Sequence, residues 1–148
     1  MEIDLLEAEP LLIARLKTIT GVTGLNVTSS ASIVDVMPEA LMPKLPLLAL
    51  QPGAGEVTDY AGNGQAAAEV GEWIVVAVVK LIPDPVNLDV TYQAAAGSLI
   101  AKTLAALAGF AMAGYRPMKY AGRDEPLFSP GYVEFALRFT VQRMTMGN

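Results

Sequence analysis

Residues 72–80 form a run that is apolar at both its odd and its even positions. Between Glu72 and Lys80, five of the seven residues are valine or isoleucine. These β-branched side chains lose rotamer freedom in a helix, and Pro83 and Pro85 end the run shortly afterwards. A strand that is apolar on both faces is typical of the centre of a sheet that is covered on each side. The pattern therefore predicts a central strand.

Residues 4–18 have the spacing of an amphipathic helix, with apolar side chains on one side and charged side chains on the other. The apolar side comprises Leu5, Leu6, Leu12, Ile13 and Leu16, and the polar side comprises Glu7, Arg15 and Lys17. Pro10 leaves two alternatives, because proline is tolerated only in the first turn of a regular helix. Either the helix begins near Glu9 with Pro10 at its first position, or a longer helix from Asp4 is kinked at Pro10.

A second helix is predicted from Asp89, as its N-cap, to about Ala108. Its apolar stripe consists of Tyr92, Ala96, Leu99, Ile100, Thr103, Leu107 and Phe110. The opposite face consists mostly of alanine, at Ala94, Ala101, Ala105 and Ala108, with Lys102 as its only charge. Small side chains allow another backbone to approach closely, but alanine also simply favours helix formation. Both interpretations of this face stay open.

The clearest alternation in the chain lies near its C-terminal end. Val133, Phe135, Leu137, Phe139 and Val141 alternate with Glu134, Ala136, Arg138, Thr140 and Gln142. This period of two predicts a strand with one face in the core and one polar face.

Shorter strands are predicted at 25–28, 33–36, 47–50 and 115–120, with the 47–50 strand beside the central one and a charged turn at 121–126. The order of helix, strands, helix and strands favours an α+β domain, in which two main helices pack on one face of an antiparallel or mixed β-sheet. The length of 148 residues is that of one domain.

Residues 52–71 contain five glycines and few large side chains, and they separate two predicted strands. A loop of about 20 residues is uncommon inside a compact domain and is usually functional or disordered. The segment is interpreted as a long extended loop or hairpin that becomes ordered on a partner.

The composition is more apolar and less charged than that of a typical domain: 53% of residues are hydrophobic and 17% are charged, against about 25% charged usually. This balance is expected where much surface is buried against other subunits. The formal net charge of −5 gives no basic field for nucleic acid. The acidic residues 1–9 do not resemble a secretory signal, and Lys102 in the middle of the apolar window 94–114 argues against a membrane span.

Candidate chemistry is sparse, because the chain has no cysteine and no histidine. Thiolate nucleophiles, histidine acid–base catalysis and the usual zinc sites are therefore excluded. Residues 62–67 match a relaxed dinucleotide-binding pattern, but without the strand–turn–helix context that the pattern requires. The adjacent carboxylates of Asp124 and Glu125 are interpreted as a solvated corner, and Trp73 and Tyr60 as core or interface residues. No catalytic residue, metal site or cofactor is predicted.

Four stretches taken in order resemble a tail protein family of Mu-like phages and prophages, which looks related to the tail terminators of long-tailed phages. They are the strand 72–80, the helix 92–107, the ending 115–141 with its alternating strand, and the first helix closing on 14–17. The resemblance lies in element types and spacing rather than in a signature motif.

The resemblance implies a structural virion protein in the tail or neck, assembled in the host cytoplasm. Such proteins form a ring, usually hexameric, that caps the head-proximal end of the tail tube and stops its polymerisation. The implied partners are further copies of the chain, the tail tube protein and the head–tail connector protein, with genomic DNA passing through the lumen without specific binding and no membrane contact.

Candidate oligomer or tube interface residues follow from the 52–71 segment and from the alanine face of the second helix: Val57, Asp59, Tyr60, Asn63, Gln65, Ala101 and Ala105. Another neck component, such as a connector or head-closure protein, is the alternative within phage proteins. A small ligand-binding or catalytic α+β domain is the alternative outside them.

Overall fold

The computed structural model describes residues 8–19, 26–29, 46–60, 66–86 and 89–144. The helices are α1 (Glu9–Leu16) and α2 (Gln93–Leu107). The strands are β1 (Asn26–Ser29), β2 (Leu47–Tyr60), β3 (Ala66–Lys80), β4 (Ile82–Asp84), β5 (Asp89–Thr91), β6 (Lys119–Arg123), β7 (Leu127–Ser129) and β8 (Tyr132–Met144). The strand predicted at 25–28 corresponds to β1, and the one predicted at 33–36 lies outside the described residues.

The main sheet has the strand order β1-β2-β3-β8-β6, and β7 also pairs with β8. β1 runs parallel to β2, whereas the other neighbours in this sheet are antiparallel. β4 and β5 form a separate two-stranded ribbon. The mixed sheet with its two helices confirms the predicted α+β class.

β3 is the central strand that its composition predicts, since it lies between β2 and β8. Its odd positions Trp73, Val75 and Val79 are buried together with side chains of both helices. The other face of β3 is covered in part. Val78 is 2% exposed and packs with Leu47, whereas Ile74 and Val76 are half-buried. Among the described residues, no helix side chain belongs to the cluster on that side.

α1 begins at Glu9 with Pro10 in its first turn, where a missing backbone N–H costs nothing. Leu12 and Leu16 are fully buried, as predicted. Leu5 and Leu6 lie outside the described residues.

The prediction of Arg15 as part of the polar face of α1 is wrong. Its Nε–H donates to the carbonyl oxygen of Ala106 at 2.9 Å, and its guanidinium lies 4.9 Å from the centre of the Phe110 ring. Arg15 therefore joins α1 to the end of α2 instead of pointing into solvent. The apolar stem of such a long side chain can pack against a neighbouring helix while its charged head forms hydrogen bonds.

α2 begins at Gln93, with Tyr92 at the N-cap position. The prediction of Asp89 as N-cap is wrong, because Asp89 belongs to β5 and pairs with Asp84 of β4. The predicted apolar stripe is confirmed: Ala96, Leu99, Ile100, Thr103 and Leu107 are buried, and Tyr92 and Phe110 pack against the same core. The Thr103 hydroxyl donates to the Leu99 carbonyl oxygen at 2.8 Å, which satisfies its polar group inside the core.

β8 confirms the predicted alternation, with Val133, Phe135, Leu137, Phe139 and Val141 all buried on the helix-covered face. The strand predicted at 115–120 is displaced, because β6 begins only at Lys119 and continues to Arg123. The predicted charged turn is correspondingly shorter, since residues 121–123 belong to the strand. Before β6, Tyr115 forms an isolated β-bridge to Arg143.

Candidate functional site

The β2–β3 hairpin extends well past the helix-covered part of the sheet. The register pairs Gly55 with Gly71 and continues to Tyr60 with Ala66, so most of the segment 52–71 is paired strand rather than loop. We call residues 52–60 and 66–71 the arm. On its inner side β3 stays paired with β8 from Ala68, opposite Met144, to Gly71, opposite Val141, so this part of the hairpin continues the main sheet with its backbone hydrogen bonds made.

Burial changes where β2 enters the arm. Leu48 and Leu50 are fully buried, whereas Pro52, Gly53 and Gly55 are exposed. Register shifts interrupt the ladder between Pro52 and Gly55 and again near the tip. Such bulges bend a strand and increase its twist. The β2 side of the arm is therefore exposed at Pro52, Gly53 and Gly55, whereas Gly71 on its β3 side is buried opposite Val141 of the core.

Gly53 shows how tightly the arm is attached. A Cβ on Gly53 would lie 2.9 Å from the Cβ of Glu72, closer than real Cβ atoms come. Only glycine therefore fits here without a shift of Glu72.

The outer edge of the arm is largely unpaired by described strands, because β1 pairs with β2 only from Leu47 to Leu50. Among the described residues, no strand pairs with that edge beyond Leu50. An open strand edge is a template for pairing with another chain.

Three of the predicted interface residues lie near the end of the arm. Val57, Asp59 and Tyr60 are in β2 and pair with residues 66–69 of β3. The other two arm candidates, Asn63 and Gln65, lie outside the described residues.

The two helix candidates lie on a different surface. Ala101 and Ala105 are exposed, one turn apart on α2. We call the exposed stripe to which they belong the small-residue face; it consists of Ala94, Ser98, Ala101, Ala105 and Ala108. Lys102 lies at its edge and is half-exposed. The structure thus places the predicted interface residues on two separate elements.

The sequence reasoning missed a third surface, on the side of the sheet away from the helices. It is an open groove of about 470 Å³ where the β6–β7 turn approaches the sheet. Its lining consists of Gln51, Val76, Asp124, Glu125, Leu127, Glu134 and Ala136. Cross-strand pairing assembles it: Val76 is opposite Ala136, and Leu127 is opposite Glu134. The only signal in the sequence was the position of Glu134 on the polar side of the alternating strand.

The charges around the groove are unevenly compensated. Arg138 donates to both carboxylate oxygens of Asp124 at 2.9 Å and to Glu72 Oε1 at 2.6 Å. The hydrogen bonds from Arg138 hold the pKa of Asp124 below its ordinary value. Burial raises the pKa of Glu134, and no salt bridge among the described residues offsets that burial. Within the described ranges, no cation therefore pairs with the two groove carboxylates of Glu125 and Glu134.

A family model for phage tail terminator proteins matches residues 1–148. The chain belongs to this family. A comparison with curated proteins found no match. The resemblance to tail terminators is thereby confirmed, while the narrower resemblance to Mu-like phages stays a prediction. Members of the terminator family are structural proteins of the phage tail, so the chain is a structural tail protein of the virion.

The described part of this tail terminator contains no group of three or more His, Cys, Asp or Glu side chains that could hold a metal ion. Trp73 is 1% exposed and opposite Phe139, so it is a core residue and not a stacking platform. The carboxylates of Asp124 and Glu125, interpreted from the sequence as a solvated corner, differ in their roles: Asp124 is held by Arg138, and Glu125 is exposed at the groove. Neither α1 nor α2 has the length and hydropathy of a bilayer-spanning helix.

Proposed function

We propose that this chain forms a ring of six copies on the head-proximal end of the phage tail. The ring ends polymerisation of the tail tube and provides the surface to which the head connector attaches. Assembly takes place in the host cytoplasm, and the partners are other copies of the chain, the tube protein and the connector. The family match supports the tail location, and the arm supports the contact with a partner.

The arm is the observation that carries this proposal. On its β2 side it exposes Pro52, Gly53 and Gly55 and presents an outer strand edge that no described strand covers. Such an edge can add a strand to a neighbouring chain through backbone hydrogen bonds. We expect the terminator to engage the last ring of the tube through this edge.

Net charge is consistent with a lumen that carries DNA. The chain has 15 acidic and 10 basic residues, which gives a net charge of −5. A ring of like-charged subunits repels the phosphate backbone instead of binding it. DNA would then pass through the ring without being retained.

Deletion of the gene in its phage tests the proposed function. The expected result is DNA-filled heads together with unattached tails of uncontrolled length, seen by electron microscopy, and restoration by the wild-type chain supplied in trans. Unattached tails of normal length would contradict termination and favour a connector or head-closure role.

Variants of the arm test its part in the proposal. The double variant Asp59→Ala with Tyr60→Ala is expected to fold normally but to lower virion yield in the trans assay by about tenfold or more. The matched control, Lys17→Ala, changes an exposed side chain at the end of α1 and is expected to leave the yield unchanged. Wild-type yield with the double variant would show that the end of the arm is not a contact surface.

A further inference from the structure

The acidic groove and the small-residue face of α2 are on opposite sides of the domain. Both helices pack on the side of the sheet that contains Trp73 and Leu137, and the groove opens on the side that contains Val76 and Glu134. We propose that the groove of one copy receives the small-residue face of α2, with Lys102 entering the groove, from a second copy of the chain. This proposal rests on the ring described above and assigns the contact between its subunits.

Among the described residues, no side chain of the same subunit supplies a cation to Glu134 or Glu125 in the groove. Arg138 is already occupied by Asp124 and Glu72. Glu134 is half-buried and makes no salt bridge within the described residues, and Glu125 is likewise unpaired. Lys80 lies on the same side of β3 but is exposed and forms no such bridge. A half-buried carboxylate without a partner is costly, and docking of a lysine would offset that cost.

The small-residue face of α2 supplies the complementary surface. Its side chains are alanine and serine, which allow another backbone to approach closely, and Lys102 is the only charge between Gln93 and Leu107. No described residue forms a salt bridge with Lys102. A lysine also has an apolar stem, which matches the floor of the groove at Val76 and Ala136.

The opposite placement of the two surfaces decides what kind of assembly results. A contact between two different patches is head-to-tail, and repetition of it generates a ring when the rotation closes. A pair of identical patches would give only a closed dimer. The geometry of groove and helix is therefore of the type that a ring needs.

Engineered cysteines provide a direct test, because the chain contains none. The pair Ala105→Cys with Leu127→Cys places one thiol on the small-residue face and one at the exposed rim of the groove, where Leu127 is 65% exposed. Tails carrying the double variant are oxidised and run on a non-reducing gel. A head-to-tail contact is expected to give a ladder of covalent oligomers that ends at the size of the ring. The pair Lys17→Cys with Leu127→Cys is the matched control and is expected to give no ladder.

Charge exchange tests the role of Lys102. Lys102→Glu and Glu134→Lys are each expected to lower ring assembly by about tenfold or more, because like charges then face each other across the contact. The chain that carries both substitutions is expected to regain assembly. Lys17→Glu is the control and is expected to assemble like the wild type. Circular dichroism establishes that each variant is folded, and Glu125→Lys replaces Glu134→Lys if the latter is not.

The outcomes separate this contact from the proposed function. If the wild-type chain controls tail length but the cysteine pair gives no ladder, or Lys102→Glu assembles normally, the contact is wrong and the terminator function stands. If the wild-type chain does not restore tail length, the proposed function fails, whatever the gel shows. A ladder together with rescue by the double charge variant establishes the contact.

Discussion

The same two strands behave differently in their two halves. Between Leu47 and Leu50 of β2, and from Trp73 to Val79 of β3, large apolar side chains are buried under the helices or against neighbouring strands. In the arm, β2 instead carries proline and glycine in exposed positions. The first half stabilises the fold by removing apolar surface from water. The β2 side of the second half retains backbone pairing at exposed positions, so we expect it to serve contacts rather than folding.

This difference predicts that stability and assembly separate along the hairpin. Substitutions in the helix-covered half should destabilise the domain, and substitutions near the end of the arm, beyond Gly55, should affect only assembly.

The largest effect is expected for Phe139→Ala. Phe139 is fully buried opposite Trp73, and its ring lies 5.5 Å from that of Tyr120. Truncation of a buried phenylalanine to alanine removes about 3–5 kcal/mol of stability. Urea unfolding measures the loss. A change below about 1 kcal/mol would show that the core does not reach the border of the arm.

Gly53→Ala tests the boundary between the buried part of the β2–β3 hairpin and the arm, from the arm's side. The added Cβ would lie 2.9 Å from the Cβ of Glu72, which must then move and disturb its ion pair with Arg138. Overpacking of this kind typically costs about 1–3 kcal/mol. The control is Gly97→Ala, where an added Cβ has no neighbour within 4 Å and a helical alanine is favoured. Equal stability of the Gly53→Ala and Gly97→Ala chains would place Gly53 outside the rigid part of the hairpin.

Arg15→Ala is expected to cost about 1–2 kcal/mol, from the loss of a charged hydrogen bond to Ala106 and of the contact with Phe110. Arg15→Lys should recover only part of this, because lysine lacks the planar group that spans both contacts. Thermal unfolding measures both variants. An Arg15→Ala chain as stable as the wild type would mean that the two helices are held together by their leucines alone.

The arm variant Asp59→Ala with Tyr60→Ala is expected to change the free energy of unfolding by less than about 0.5 kcal/mol, as substitutions away from a core usually do. Its virion yield should nevertheless fall, as proposed above. A large loss of stability would contradict the separation of stability from assembly along the hairpin, because the end of the arm would then be needed for folding.

The smallest effect, and the most dependent on pH, is expected for Glu134→Gln. Burial raises the pKa of Glu134, so its charged form is less favourable in the folded than in the unfolded chain. The wild type therefore gains stability relative to the variant as pH falls through that raised pKa, and loses it as pH rises. Glu134→Gln should be slightly more stable than the wild type at pH 7, and this advantage should vanish below pH 4.5, the ordinary value for the glutamate side chain. Thermal midpoints across this pH range give the comparison; an advantage that grows on acidification would contradict the assigned sign.

Asp124 has the opposite dependence on pH. The hydrogen bonds from Arg138 lower its pKa, so their contribution is complete above the unfolded value of 3.8 and is lost as pH falls through the lowered pKa. Asp124→Asn should abolish this loss of stability on acidification. The pH dependence of stability that comes from Glu134 should be unchanged.

Several elements were predictable from the sequence because local periodicity reports which face of an element is buried. The alternation from Val133 to Val141 defined β8 and its buried side, and the valine-rich run defined β3 as central. The 3.6-residue spacing of the apolar side chains predicts the buried stripe of α2 in the same way. These patterns depend only on neighbours along the chain, so no knowledge of the fold was required.

The tertiary structure alone decided the contacts between distant parts of the chain. Arg15 meets Ala106 across 91 residues, and Arg138 meets Glu72 across 66. The carboxylate of Asp89 suits a helix N-cap, but Asp89 pairs with Asp84 and belongs to a strand instead. The groove exists only because the pairing of β8 with both β3 and β7 brings Val76, Leu127 and Glu134 together. Hydrophobic spacing determines which face of an element is buried, but the partner on that face is set by the packing of the whole chain.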